Sequence, residues 1–484
     1  MFSGNFIGIA NPINLVKSLS NVEDESSKHE FGSKEITKIS DKEDEKIEVS
    51  CNQVWSRGNY TNIGNEDFSI AHVRIVYKDY HLHELMLSLL YSSTNVFCYS
   101  IDSKASAVFK EQMQNLSTCF PNVYISPIQY NVDSSGHNMD RAFISCFSII
   151  RNLSYWQYAT VMQNYDLPVK TDKEMLRILK VLNGSNSIVL LPPIKSRVPK
   201  HKDWTFKALK LFRDTSKNDQ RVLQISKGNI GSLLSRSFIE FLIDDLNPEI
   251  FLSRLDKIRY GNDEMLLPSL NSDDNINSPG GFTRHCLKTN KGYIARFVSW
   301  NYHGQPCKSN LHRHNICIYG YQDLPMFLRK LHFFANKLIP AYDYTAIACW
   351  AKYLAYRSTI DNHEESIDVE QYSMMPNVLF NKNRDFWRRN LDLFDCSTGK
   401  MVNSSSNSTL LQSSTSPTSQ DSSRLSTATA TTTFEVTSST PTSTIKTVPT
   451  TSAVSTATPE TTMLTPIRDS AVDDIWNGIN IFEN

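Results

Sequence analysis

The chain carries many residues able to do chemistry, but none stands in a standard motif. There is no glycine-rich phosphate loop, no nucleophile elbow and no Cys-x-x-Cys zinc pattern. An Asp-x-Asp pair at a strand end, the usual magnesium or manganese site of a nucleotide-sugar enzyme, is also missing. The nearest candidate is Asp102, closing the run NVFCYSID, with Lys104 just after it. An acidic pair, Asp263-Glu264, reads by itself as a helix start, where carboxylates are favoured whatever they do. Nine cysteines are an odd number, so at least one stands outside any disulfide within the chain. Asn59, Asn115, Asn152, Asn183, Asn403 and Asn407 fit the short N-glycosylation pattern. Cysteines and acceptor sites together point to the oxidising secretory pathway.

The elements that would position such residues lie in the middle of the chain. Residues 1–48 contain no continuous apolar core of a signal peptide and end in a charged, linker-like stretch. No run of 18 apolar residues is present, so no membrane anchor is legible. Either the chain is not anchored through its own sequence, or a segment is missing before it. Residues 49–400 are globular in composition, and 401–484 turn into a Ser/Thr-rich low-complexity tail. A formal net charge of zero argues against a nucleic-acid binder.

Within the globular part, strand and helix signals alternate. HVRIVY (72–77), NVFCYSI (95–101), NVYI (122–125), WQYATVM (156–162) and SIVLL (187–191) read as strands. Helical spacing covers 81–91. Thr171 with Glu174, and Ser237 with Glu240, have capping-box spacing and open helices over 171–182 and 238–246. Asp323 with Pro325 opens a helix predicted to run from Leu324 to Lys337. The alternation predicts an α/β fold with a mostly parallel sheet, whose ligands bind beyond the carboxyl ends of the strands.

Several segments, in colinear order over 71–357, resemble the core-2/I-branching glycosyltransferases. They are NVFCYSIDSKAS with STCFPNVYI, SYWQYATVMQNYDLPVKTDKEMLRILKVLNG, GNIGSLLSRSFIEFLI, YGNDEMLLPSL, RFVSWNYHGQPC, NICIYGYQDLPMFLRK and FFANKLIPAYDYTAIAC. The resemblance implies a GT-A-like, Rossmann-type glycosyltransferase domain. It implies an inverting, metal-independent transfer of N-acetylglucosamine from its UDP donor to a hydroxyl of a glycoprotein glycan, of β-1,6 branching type. It also implies Golgi localisation with membrane association. Another UDP-sugar (xylose or glucose), or an inactive sugar-binding protein, remains an alternative.

By the same resemblance Glu264 corresponds to the family's general base and Lys337 to one of two basic phosphate ligands. His314 stands where the second, an arginine, would be, with Arg313 one residue earlier. Either Arg313 takes that place, or His314 serves, or activity is impaired. Asp102 and Lys104 are donor-site candidates. Trp300 and Tyr302 correspond to an acceptor-binding aromatic pair and Asp166 to an acidic residue on the acceptor side. The resemblance pairs Cys307 with Cys317 and Cys51 with Cys349; Cys119 and Cys146 lack their usual partners and could pair with each other.

Overall fold

The computed structural model describes residues 37–58, 60, 64, 67–287, 291–360 and 367–402. Asn59, Asn403, Asn407, most of the N-terminal segment and nearly all of the Ser/Thr-rich tail lie outside them. Asn115, Asn152 and Asn183 are exposed.

The chain order is α1 (Asp41–Asp44), β1 (Ser69–Val76), α2 (Tyr80–Leu90), β2 (Val96–Ile101), α3 (Ala107–Thr118), β3 (Val123–Ile125), α4 (Met139–Ile150), β4 (Trp156–Met162), β5 (Leu167–Pro168), α5 (Asp172–Leu182), β6 (Ser232–Ser235) and α6 (Arg236–Glu240). There follow β7 (Arg296–Val298), β8 (His312–Arg313), β9 (Ile316–Cys317), α7 (Leu324–Phe327), β10 (Phe334–Asn336) and α8 (Pro340–Ile360), with short helices between and after. The main sheet has the order β3-β2-β1-β4-β6; the first four strands are parallel and β6 runs antiparallel to β4. Every residue of β1 and β2 is buried, as expected for strands covered on both faces. Ala71, Val73 and Ile75 face one core cluster together with Phe143 and Phe147 of α4. Phe97, Tyr99 and Ile101 face a second, with Leu87 of α2 and Met113 of α3.

A second, three-stranded sheet of order β5-β10-β7 packs in a third cluster with Leu82 and Met86 of α2 and Trp350 of α8. It corrects the predicted Leu324–Lys337 helix, which stops at Phe327. Phe334-Ala335-Asn336 is instead a buried strand, paired with Arg296–Val298 on one side and Leu167–Pro168 on the other. Short apolar runs fit either period, and here tertiary pairing decides. Two other elements also differ. Ser187–Leu191 forms only isolated bridges to Leu233 and Lys227. The helix expected after Ser237 is capped by Ser235, whose hydroxyl accepts from Phe238 N.

The end of the charged N-terminal stretch is docked rather than solvated. Ser40 and Glu43 form a capping box on α1, and Asp44 is buried. Ile39 N donates to Pro340 O and Tyr344 N to Thr37 O, fastening the segment to α8.

Disulfides link Cys51–Cys119, Cys98–Cys146, Cys286–Cys396 and Cys307–Cys317. The first two correct both the Cys51–Cys349 and the Cys119–Cys146 pairings. Cys146 faces β2 from α4, next to Cys98, whereas Cys119 ends α3 beside Cys51; Cys349 is buried in the third cluster.

Candidate active site

Asp102 follows the carboxyl end of β2 and Asp166 that of β4, and the Arg313 guanidinium lies over Tyr165 of the same loop after β4; in an open parallel sheet these ends are where ligands bind. Glu264 closes a short 3-10 turn, Asn262–Glu264. The turn is anchored by Asn262, whose amide donates to Leu255 O at 2.6 Å and Ile258 O at 3.0 Å. Gly261 enters it at φ 74°. A Cβ there would lie 2.5 Å from Arg197 Nη1 and 2.9 Å from Glu264 Oε2, so only glycine leaves room for this pair.

Two cations hold the Glu264 carboxylate by the same oxygen. Arg197 Nη1 and Lys227 Nζ each lie 3.1 Å from Oε2. Lys227 is fixed by a two-way backbone bridge with Leu191. Neither cation was visible as a site residue in the sequence, because each belongs to a loop without a motif. The Arg197 guanidinium also lies over the Tyr260 ring, 5.0 Å from its centroid. Burial, and then the charge of Glu264, push the neighbouring Asp263 up to about 7.

Trp300 and Tyr302 stand beside this turn, their ring centroids 5.3 Å apart. Partial burial and the Glu264 charge raise the Tyr302 phenol to about 12. The tyrosine is still 60% exposed, which leaves its ring open to a ligand.

The cations expected to meet phosphate form a second group. Lys337 follows β10, and its ammonium is pushed down to about 8 by burial, then by Arg313 and Arg296. His314 is lowered by partial burial, then by Lys337 and Arg313. Arg313 closes β8 with its guanidinium 6.0 Å from the Tyr165 ring centroid. Lys337, Arg313 and His314 therefore share one electrostatic environment, together with Arg296, which the sequence reading missed. The backbone of β8 and β9 also ties this group to the aromatic pair. Trp300 bridges Ile316, and Asn301 N donates to Asn315 O at 2.9 Å.

Asp166 is a correction. It has no exposed surface and lies 3.5 Å from the buried Arg296, so it orients that cation and cannot touch an acceptor. Arg74 of β1 holds the same turn by donating to Gln163 O and Asp166 O. Asp102 and Lys104 do lie at the end of β2, 3.1 Å apart. However, the Lys104 ammonium is engaged by Asn131 and Val132 O, and none of its described contacts reaches the Lys337 group. Among the described residues no cluster of three or more His, Cys, Asp or Glu could hold a metal ion.

Residues 70–327, just over half of the chain, match the Core-2/I-Branching enzyme family. The chain belongs to this family. It is 29% identical over 307 residues to a beta-1,3-galactosyl-O-glycosyl-glycoprotein beta-1,6-N-acetylglucosaminyltransferase of bovine herpesvirus 4, covering 60% of this chain and 69% of that one. The human enzyme 3 of the same name is 28% identical over 312 residues, with the same coverage. Among solved structures, a core-mannan synthase from Aspergillus fumigatus is matched at 8% identity and a TM-score of 0.20, over 48% of this chain and 73% of that one. As a member of the core-2/I-branching family, the chain is a glycosyltransferase with the α/β, Rossmann-type domain described above. No helix among the described residues is long and apolar enough to cross a membrane.

Proposed function

We propose that this glycosyltransferase moves N-acetylglucosamine from UDP-N-acetylglucosamine to a hydroxyl of a glycoprotein glycan, with inversion and without a metal. The observation that carries this reading is the pairing of two groups. One is a carboxylate held by two cations beside an open aromatic pair, and the other is a knot of cations joined to that pair by a shared strap. The relatives' names supply the donor sugar and the acceptor class.

In the reaction the acceptor hydroxyl oxygen bonds to the anomeric carbon as the bond from that carbon to the phosphate oxygen breaks. The hydroxyl proton passes to Glu264, and UDP leaves with the bonding electron pair. Arg197 and Lys227 both hold Oε2, which leaves Oε1 to receive the proton. Lys337, Arg313 and His314 offset the charge that develops on the diphosphate. Of the last two, Arg313 is the stronger candidate, because a guanidinium stays charged and can fork onto two oxygens. The Trp300–Tyr302 pair packs against the acceptor sugar. Family membership, the four disulfides and the exposed Asn-x-Ser/Thr sites support a location in the secretory pathway, in the Golgi.

Glu264→Gln tests this reading. The variant should fold and bind UDP but lose at least about a thousandfold in transfer rate. Retained turnover would remove Glu264 from the base role. Donor hydrolysis across a panel of UDP-sugars tests the donor, and preference for xylose or glucose would replace N-acetylglucosamine.

A further inference from the structure

We propose that Asp44, from the charged segment before the α/β domain, is a positioning residue of the donor-phosphate site. The argument begins at the amino end of α2. Asp79 occupies the N-cap position of this helix, where an aspartate side chain normally accepts from the first exposed N–H groups. It makes no such bond and sits in the left-handed region at φ 63°. The cap comes from elsewhere in the chain. Asp44 Oδ2 accepts from Tyr80 N at 2.7 Å and Oδ1 from His81 N at 2.8 Å. Asp44 is itself held in place by α3, whose Gln112 amide donates to Asp44 O at 2.9 Å.

This arrangement releases the Asp79 carboxylate for another task. Its Oδ2 accepts from Tyr165 OH at 2.8 Å, and Tyr165 OH meets Tyr77 OH at 3.1 Å. The Arg313 guanidinium lies against the Tyr165 ring and is near enough to Asp79 to feel its charge. The tyrosine backbone serves the same site, since Leu338 N donates to Tyr165 O directly after Lys337. A continuous path therefore runs from Asp44 through the α2 terminus, Asp79 and the tyrosine pair to Arg313. Without Asp44, two helix N–H groups lose their acceptor, and Asp79 is the carboxylate placed to replace it. Asp79 would then give up Tyr165.

This inference rests on Arg313 being a diphosphate ligand, as proposed above. The test is UDP affinity by calorimetry on the full chain, for wild type, Asp44→Ala, Asp44→Asn, Asp79→Ala and the Asp44→Ala/Asp79→Ala pair. Asp44→Ala should weaken UDP binding about fivefold, the scale of one lost cap, with acceptor KM unchanged. Asp44→Asn keeps one acceptor oxygen and should lose less; it carries the test if Asp44→Ala does not fold. In the Asp79→Ala background Asp44→Ala should add almost nothing, because the relay is already cut. Unchanged UDP affinity in folded Asp44 variants, or losses that multiply in the double variant, would overturn the inference and leave the functional reading intact. Wild-type chain that binds no UDP would overturn the donor-site reading, and this inference with it.

Discussion

Lys337 is half-buried near Arg313 and Arg296, with the charge of Asp166, itself paired to Arg296, as the opposing influence. Its ammonium is pushed down to about 8, so the folded state binds the proton less tightly than the unfolded chain. The stability this depressed value contributes is present above the ordinary lysine range near 10.5 and is lost as pH falls through about 8. At neutral pH the residue therefore costs stability in the empty enzyme, and a diphosphate would relieve that cost. Lys337→Met should raise the thermal midpoint at pH 7 by a few degrees while abolishing UDP binding, both readable in one thermal-shift titration. A lower midpoint would mean that the lysine serves packing. Gly261→Ala should fold less stably, by about 1 kcal/mol or more, and lose most of its transfer rate. The added methyl falls between Arg197 and Glu264, so chemical denaturation together with initial rates checks both effects.

At the scale of elements, the strap from Ser299 to Cys317 joins the two halves of the site. Cys317 N donates to Ser299 O at 3.0 Å, and Cys307–Cys317 closes the intervening loop over a separation of 10 residues. Asp323 braces the same loop by accepting from Lys308 N and Ser309 N. Closing a loop of this length restricts the open chain by about 2–3 kcal/mol on the chain-entropy account. Replacing both cysteines with serine should weaken UDP and acceptor binding together, since Arg313 and Trp300 sit on the same strap. Separate titrations would show this, and a loss confined to one ligand would argue against the shared scaffold.

For the whole molecule, buried carboxyls, Asp172, Asp263 and Asp44 among them, influence how stability depends on pH. Burial is the main cause in each: it raises Asp172 and Asp263 to about 7 and Asp44 to about 6. A raised carboxyl contributes stability that is full below its unfolded value near 4 and is lost as pH rises through the folded value. These groups therefore favour the folded state on the acidic side of neutrality. Asp172→Asn keeps an acceptor for the Asn95 amide, which lies 2.7 Å from Asp172 Oδ1. It should flatten the decline in unfolding free energy between pH 5 and about 7, as measured by denaturant titration at several pH values. An unchanged slope would exclude Asp172 as a source.

What could be read in the sequence was what local pattern and chain order decide. Four parallel strands and the capped helix at Thr171 follow from short-range periodicity and capping, so they fell near their predicted places. Family membership was legible because motif order survives divergence of single residues. Tertiary structure decided whatever depends on residues distant in sequence. The run around Ala335 became a strand only because Phe297 and Leu167 lie on either side of it. Cys51 found Cys119 rather than Cys349 because α3 ends beside the N-terminal segment. Arg197, Lys227 and Asp44 belong to no motif, and each, like Arg296 at the start of RFVSWNYHGQPC, gains its role from a partner more than 30 residues away. Periodicity and capping act over a few residues, whereas a charged pair or a borrowed helix cap exists only once the chain has brought its two halves together.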